Sequence, residues 1–292
     1  RRNLDSKKDS VNFQPHIFEQ ILQPKSYPLG RFPSNTKYAL SLMQQVAVNL
    51  SVGFDNNRMR SVNGPPGTGK TTLLKDIFAQ LVVHQAYDIA NLSNHFIEGT
   101  DKTIYFNHAS IGEIPEYIIE NSIVVASSNN GAVQNIVNEL PLSKEVDKAL
   151  LEELKEADYF REISNAKLSS KWLEDENGKK REELFKESVP GEEKFWGVFS
   201  LEGGKTDNMA NILKNMKHIH KYLEEEYVPD QDIYKQFLKH YEEAKAVQIK
   251  MQAFADGIRT YQECIKALDM FCANYQKDLE KKKNELNTEL QK

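Results

Sequence analysis

Gly64-Pro65-Pro66-Gly67-Thr68-Gly69-Lys70-Thr71-Thr72 is the stretch that decides the reading of this chain. It fits G-x-x-x-x-G-K-[ST], a loop that cradles nucleotide phosphates. Gly64, Gly67 and Gly69 allow the backbone to curl so that successive N–H groups point inward at an anion. Lys70 brings an ammonium to the β- and γ-phosphates, and the Thr71 hydroxyl is the expected Mg²⁺ ligand. Pro65, Pro66, Thr68 and Thr72 complete the expected cofactor-binding loop. A helix beginning here aims the positive end of its dipole at the same anion. The flanks agree. Met59–Asn63 is short enough for a buried strand, and Thr71–Val83 carries apolar residues at helical spacing.

Working outward, Thr36–Leu50 has apolar residues at Tyr38, Ala39, Leu42, Val46 and Leu50, a helical pattern that Ser34 or Asn35 could cap. Asp101–Phe106 reads as a short strand. Ser122–Ala126 is an uninterrupted β-branched run, as expected of a buried parallel strand. Ser127-Ser128-Asn129-Asn130-Gly131 ends that run and caps a helix through Leu140, which Pro141 closes. Strand, loop and helix repeated in this order predict an α/β fold with a parallel sheet.

The second half changes character. Lysine and glutamate dominate residues 142–230, with helical runs near 144–157 and 208–225 and a polar stretch at 173–193 that reads as a solvated loop. Gly204-Lys205-Thr206 echoes the end of the phosphate loop, but Phe199 stands where its first glycine belongs. Residues 232–292 read as one long helix or two. Phe237, Tyr241, Ala244, Met251, Ile258, Ile265, Leu268, Tyr275, Leu279 and Leu286 fall in steps of three and four, interrupted at Gln248 and Lys282. A continuous helix of that length reaches about 90 Å. It cannot bury such a seam alone, so a returning helix, a second copy or a partner is expected.

Bulk properties narrow the field. The 292 residues suffice for one large or two ordinary domains, with 39% hydrophobic and 28% charged residues. A net charge of −5 excludes a uniformly basic nucleic-acid binder but leaves room for a local basic groove. Cys264 and Cys272 lack zinc-ligand spacing and are too few for a disulfide framework, so a reducing, intracellular, cytoplasmic setting is expected. No secretory segment or bilayer-length apolar run is present, and no membrane role is expected. The His218-Ile219-His220 pair is a weak metal signal. The chain starts Arg1-Arg2 without methionine, which suggests a fragment of a longer protein.

Taken together, Leu42–Val48, the Pro-Pro-Gly-Thr form of the phosphate loop, and Ile123–Val137 with its Ser128-Asn129-Asn130-Gly131-Ala132-Val133 element resemble the first RecA-like domain of superfamily 1 helicases, in the branch used for RNA surveillance and replication processing. The resemblance covers about residues 29–140. It implies a P-loop NTPase: a RecA-like parallel sheet with helices on both faces, followed by a helical, coiled-coil insertion. It divides the chain into an N-terminal segment at 1–28, an ATP-binding domain at 29–145, a mostly helical insertion at 146–230 and a coiled-coil arm at 231–292. By position, Gln44 looks like the adenine-reading glutamine, with Gln45 as the alternative, and Lys70 and Thr71 take the phosphate and Mg²⁺ roles with ATP. Ser128, Asn129 and Asn130 look like the element that touches the backbone of single-stranded DNA or RNA; plain helix capping is the competing reading of the same residues. The family has Asp where Gln134 stands.

Hydrolysis needs an apolar strand ending in Asp-Glu. The single Asp-Glu, Asp175-Glu176, lies in a polar stretch and does not qualify. Turnover by this chain alone is therefore doubtful, and the missing motifs are expected downstream in a parent protein. The leading expectation is an ATP-dependent helicase or translocase. An AAA+ remodelling ATPase, which shares the loop, and a nucleotide-switched coiled-coil scaffold are the alternatives. Residues 231–292 would carry a protein partner or self-association.

Overall fold

The computed structural model describes residues 15–35, 37, 39–53, 61–65, 67–94, 99–100, 111–112, 114–128, 130–174, 178–191, 193–199, 202–230 and 232–291. The chain divides into two units, one of residues 28–239 and the other of residues 1–27 with 240–292.

In the smaller unit, helix α1 (Pro15–Ile21) opens on a proline, whose fixed φ suits a first helical position. A 3-10 turn at Pro24–Ser26 follows. The Lys25 N–H donates to Gln252 Oε1 (3.1 Å), and Gln248 Nε2 donates to the Tyr27 carbonyl (2.7 Å). These two bonds attach residues 25–27 to the long helix described last.

In the larger unit, α2 (Leu42–Val52) starts at Ser41 rather than near Ser34 or Asn35. Ser41 and Gln44 form a capping box: the Gln44 N–H donates to Ser41 Oγ, and Gln44 Oε1 accepts from the Ser41 N–H at 2.8 Å. This reciprocal pair satisfies two orphan donors, which neither upstream residue does. Helix α3 (Lys70–Ala90) follows the glycine loop directly. Its buried face, with Leu73, Asp76, Phe78 and Gln80, meets the segment Pro28–Pro33. That segment is bound tightly. The Phe32 N–H donates to Asp76 Oδ1 (2.9 Å), the Arg31 guanidinium pairs with Asp76 Oδ2 (3.0 Å), and the Gly30 N–H donates to Gln80 Oε1 (2.6 Å). A Cβ on Gly30 would lie 2.7 Å from the Ala79 carbonyl oxygen, so only glycine fits there.

Phe32 then enters the core with Phe78 and Leu140, against which Leu74, Ile123, Ile136 and Phe199 pack. Ile136 lies in α5 (Asn130–Glu139) and Leu140 directly follows its end; α5 is reached from the short α4 (Glu116–Ile119) through the irregular segment Ser122–Ser127. Beyond α5 come α6 (Lys148–Glu156), capped by Asp147, and α7 (Arg161–Asn165). Asn165 is a local hub. Its Oδ1 accepts from the N–H groups of Lys194 and Phe195, and its Nδ2 donates to the carbonyls of Arg161 and Phe195. The buried Trp196 donates its indole N–H to the Leu140 carbonyl (3.0 Å) and sits 5.8 Å from the Phe199 ring.

Two sheets are present among the described residues, both antiparallel and two-stranded. One pairs β1 (Gly99–Thr100) with β2 (Ile111–Gly112); the other pairs β3 (Ala166–Glu174) with β4 (Lys180–Ser188). The expected parallel ladder is not formed among these residues. Ser61–Asn63 and Ser122–Ala126 belong to no strand or ladder, while Met59, Arg60 and Asp101–Phe106 lie outside the described residues. A buried parallel strand needs hydrogen-bonding neighbours. Here only Ile123 of the run packs against the Phe32, Phe78 and Leu140 core; Val124 is 92% exposed, so the run is not the buried strand its composition suggests, and it borders an apolar cleft of about 1130 Å³ with Phe78, Trp196 and Phe199.

The polar stretch at 173–193 also departs from its reading as a loop, because it contains β4. Charge pairs hold the hairpin: Lys171 opposite Glu183, and Lys167 within 3.8 Å of Glu187. Helix α8 (Thr206–Glu225) packs on β3, with a Lys217–Glu182 ion pair. Its His218 is buried, and Nε2 has no hydrogen-bond partner. The long helix is single and continuous, α9 (Asp232–Leu290).

Burial pushes the His218 imidazole below its ordinary value of 6.5, a hydrogen bond with the Ser169 backbone opposes this, and the Lys186, Lys221 and Lys214 charges push the same way as burial. The unfolded chain then binds a proton more readily than the folded one. Stability from this residue is present above pH 6.5 and is lost as pH falls through the depressed folded value. The urea midpoint should therefore drop on acidification below that pH, and His218→Leu should flatten the drop; an equal slope in both proteins would remove His218 as its origin.

Candidate nucleotide site

The loop that precedes α3 has the shape its glycines predict. Gly67 (φ 78°) and Gly69 (φ 73°) both lie in the left-handed region, which L-residues with a Cβ rarely adopt. The two turns deliver the chain to Lys70, the first residue of α3, whose first-turn N–H groups lack intrahelical acceptors. Thr68 Oγ1 donates back to the Pro65 carbonyl (2.8 Å) and closes the loop on itself. Lys70 folds over it, with Nζ at 2.7 Å from the Gly64 carbonyl and 2.9 Å from that of Pro65. Lys70, Thr71 and Thr72 are all exposed on the first turn. Pro66 lies outside the described residues.

Gln44 joins this loop from α2. Its Nε2 donates to the Thr68 and Gly69 carbonyls (both 3.2 Å), while its Oε1 is engaged in the capping box. The carboxamide thus lies beside the loop, as the adenine reading required, but both its ends are held by backbone. Gln45, the alternative reader, is buried; its Nε2 donates to Asn49 Oδ1 (2.7 Å) and its Oε1 accepts from Arg31 (3.3 Å), which leaves it no face toward the loop. A link from Arg31 to both Gln45 and Asp76 was not read from the sequence. Its signal was two polar residues, Gln45 and Asp76, on the apolar faces of amphipathic helices.

The residues present fit a Mg²⁺ nucleotide. A glycine cradle, helix-start N–H groups without intrahelical acceptors, an exposed lysine and a helix-borne hydroxyl form an anion-and-cation donor set. Ser128 is exposed just before α5, at the expected nucleic-acid element; Asn129 lies outside the described residues, and Asn130 opens α5. Phosphate loop and Ser128 element are thus both followed directly by helices of the larger unit. Among the described residues there is no group of His, Cys, Asp and Glu suited to a metal, and no helix long and apolar enough to cross a membrane.

The family model for the AAA domain matches residues 40–292. This chain belongs to that family. It is the helicase-like AAA domain typical of superfamily 1 helicases, and it makes the protein a P-loop NTPase of helicase-like type. The family is in general one of ATPases that bind ATP with Mg²⁺. No curated protein and no solved structure matches the chain.

The loop geometry separates two glycines. A Cβ on Gly67 meets nothing within 4 Å, whereas one on Gly69 runs into the Gln44 amide. Gly67→Ala should therefore cost only the backbone strain, on the order of 1–2 kcal/mol. Gly69→Ala should also dislodge Gln44 and weaken Mg·ATP binding by a further factor of about ten, or ~1.4 kcal/mol. Titration with a fluorescent ATP analogue measures both; equal losses would show that the Gln44 contact does not matter.

Proposed function

We propose that this chain carries the ATP-binding half of an ATP-dependent nucleic-acid helicase or translocase. The observation that supports this reading is the conjunction of the Lys70 loop with a second loop-to-helix junction at Ser128, a sequence pairing that resembles superfamily 1 motors rather than AAA+ remodelling enzymes.

Lys70, released from the Gly64 and Pro65 carbonyls, holds the β- and γ-phosphates, and Thr71 holds the metal. Bound ATP with Mg²⁺ supplies the transferable phosphoryl group and the charge neutralisation that its displacement by water requires. The backbone N–H groups of Gly67–Thr72 would orient the phosphates, and the Gln44 carboxamide, on leaving the Thr68 and Gly69 carbonyls and the Ser41 N–H, would be able to donate to and accept from the adenine edge. Ser128 and Asn129 contact the sugar-phosphate backbone of a single strand and read no base; Asn130 presents the α5 N-terminus to the same phosphates. Residues 29–145 form the ATP-binding part on this reading and 146–230 the insertion, with the Asp-Glu strand and second motor lobe supplied elsewhere in the parent protein. The same reading places the protein in the RNA-surveillance and replication-processing branch.

ATP turnover by the full-length protein, with and without single-stranded DNA and RNA, tests the proposal. One strand type should stimulate turnover severalfold, and Lys70→Ala should lower the stimulated rate by roughly a hundredfold or more. Turnover indifferent to both strands would point instead to remodelling ATPase activity.

A further inference from the structure

The long helix α9 carries an open seam. Val247, Met251, Phe254, Ile258, Tyr261, Ile265, Leu268, Cys272, Tyr275, Leu279, Lys282 and Leu286 follow one another in strict steps of four and three. This is the a/d pattern of a coiled coil over some five heptads. The seam's apolar side chains are uncovered, from 40% exposed at Ile265 to 72% at Phe254. The hydrogen bonds of Lys25 and Tyr27 with α9 fall on Gln248, which flanks Val247 at the edge of the seam, and on Gln252. Together the open seam side chains offer on the order of 1,000 Å² per helix, so a pair buries about 2,000 Å², the size of a stable interface.

We propose that this seam pairs with that of a second copy of the chain, antiparallel, with the two-fold axis between Ile265 and Leu268. The pattern of sizes and charges carries the choice. About that axis, Ile265 lies against Leu268 of the second copy, Tyr261 against Cys272, Ile258 against Tyr275, Phe254 against Leu279 and Val247 against Leu286. Each aromatic ring meets a smaller aliphatic or sulfur-bearing side chain, so every layer has similar volume and packs to interior density. Lys282 lays its stem along Met251 and carries its ammonium out to water. At the flanking positions Glu285 faces Lys250 of the second copy, twice by symmetry, and Phe271 faces Cys264. A parallel pairing opposes each residue with itself. It would stack Lys282 on Lys282 and Glu289 on Glu289 inside the seam, two like-charge layers that count against it. The antiparallel overlap of residues 247–286 spans about 60 Å.

Sedimentation of the full chain at micromolar concentration, combined with thiol cross-linking, tests the proposal. The wild-type chain should be a dimer, and Ile265→Asp should make it a monomer with unchanged helicity and unchanged binding of a fluorescent ATP analogue. Under mild oxidation, Tyr261→Cys should yield an interchain disulfide to Cys272 that Tyr261→Ser does not. In the wild type, Cys272 of the two copies stand eleven residues apart along the axis, about 17 Å, beyond disulfide reach. A monomeric chain would overturn the proposal, as would a dimer that Ile265→Asp leaves intact, a Cys272–Cys272 cross-link in the wild type, or no cross-link in Tyr261→Cys.

Discussion

The carboxylate of Asp76 is the point on which the larger unit turns. It is buried on α3, yet it is fully satisfied: one oxygen accepts from the Phe32 backbone and the other meets the Arg31 guanidinium. Losing such a carboxylate would leave the Phe32 N–H without a partner, at a cost of about 1–3 kcal/mol. The bond also decides where Phe32 goes. Held there, the ring packs with Phe78 and Leu140, and Leu140 in turn supplies the carbonyl that Trp196 binds. Core, aromatic cluster and the start of α2 are thus all referred to one face of one helix.

The other end of that helix is the phosphate site, and this is how fold and chemistry are coupled. Lys70 begins α3, so the direction of its first-turn N–H groups follows from how α3 is seated. Gln44 adds a second constraint from α2, because the same carboxamide that closes the Ser41 capping box also binds the Thr68 and Gly69 carbonyls. Arg31 ties the two helices from behind through Gln45 and Asp76. A loop with two glycines at positive φ is intrinsically floppy, and these braces reduce the entropy that ordering it for an anion would otherwise cost.

What could be read from residues alone was what is local. Glycine spacing, the lysine and the amphipathic helix after it are encoded within a dozen positions, and in the structure Gly67 and Gly69 take left-handed turns, the helix starts at Lys70, and the Lys70 ammonium rests on the Gly64 and Pro65 carbonyls. The helical character of residues 232–292 was legible for the same reason, but the sequence reads equally as one helix or two, and it is the structure that shows the single α9. The cap at Ser41 is encoded as Ser-x-x-Gln, but Ser34 and Asn35 upstream offer the same capping chemistry. Non-local features were not. Asp76 is marked in the sequence only as a charge on the apolar face of a helix; its partners are not, because they lie some forty-five positions upstream. The hairpin of β3 and β4 was hidden because its paired strands carry charged residues opposite one another rather than alternating apolar residues. The β-branched run at Ser122–Ala126 has strand composition, but a ladder is a property of neighbours, and none stands beside it among the described residues.

The central claim is that the nucleotide loop is shaped by Gln44 as well as by its own glycines. Calorimetric titration of Mg·ATP into the wild-type chain and into Gln44→Ala, with Lys70 untouched in both, tests it most directly. The account predicts binding by the wild type and roughly tenfold weaker binding by the variant, about 1.4 kcal/mol, with unchanged secondary structure. Equal affinity in the two proteins would contradict it.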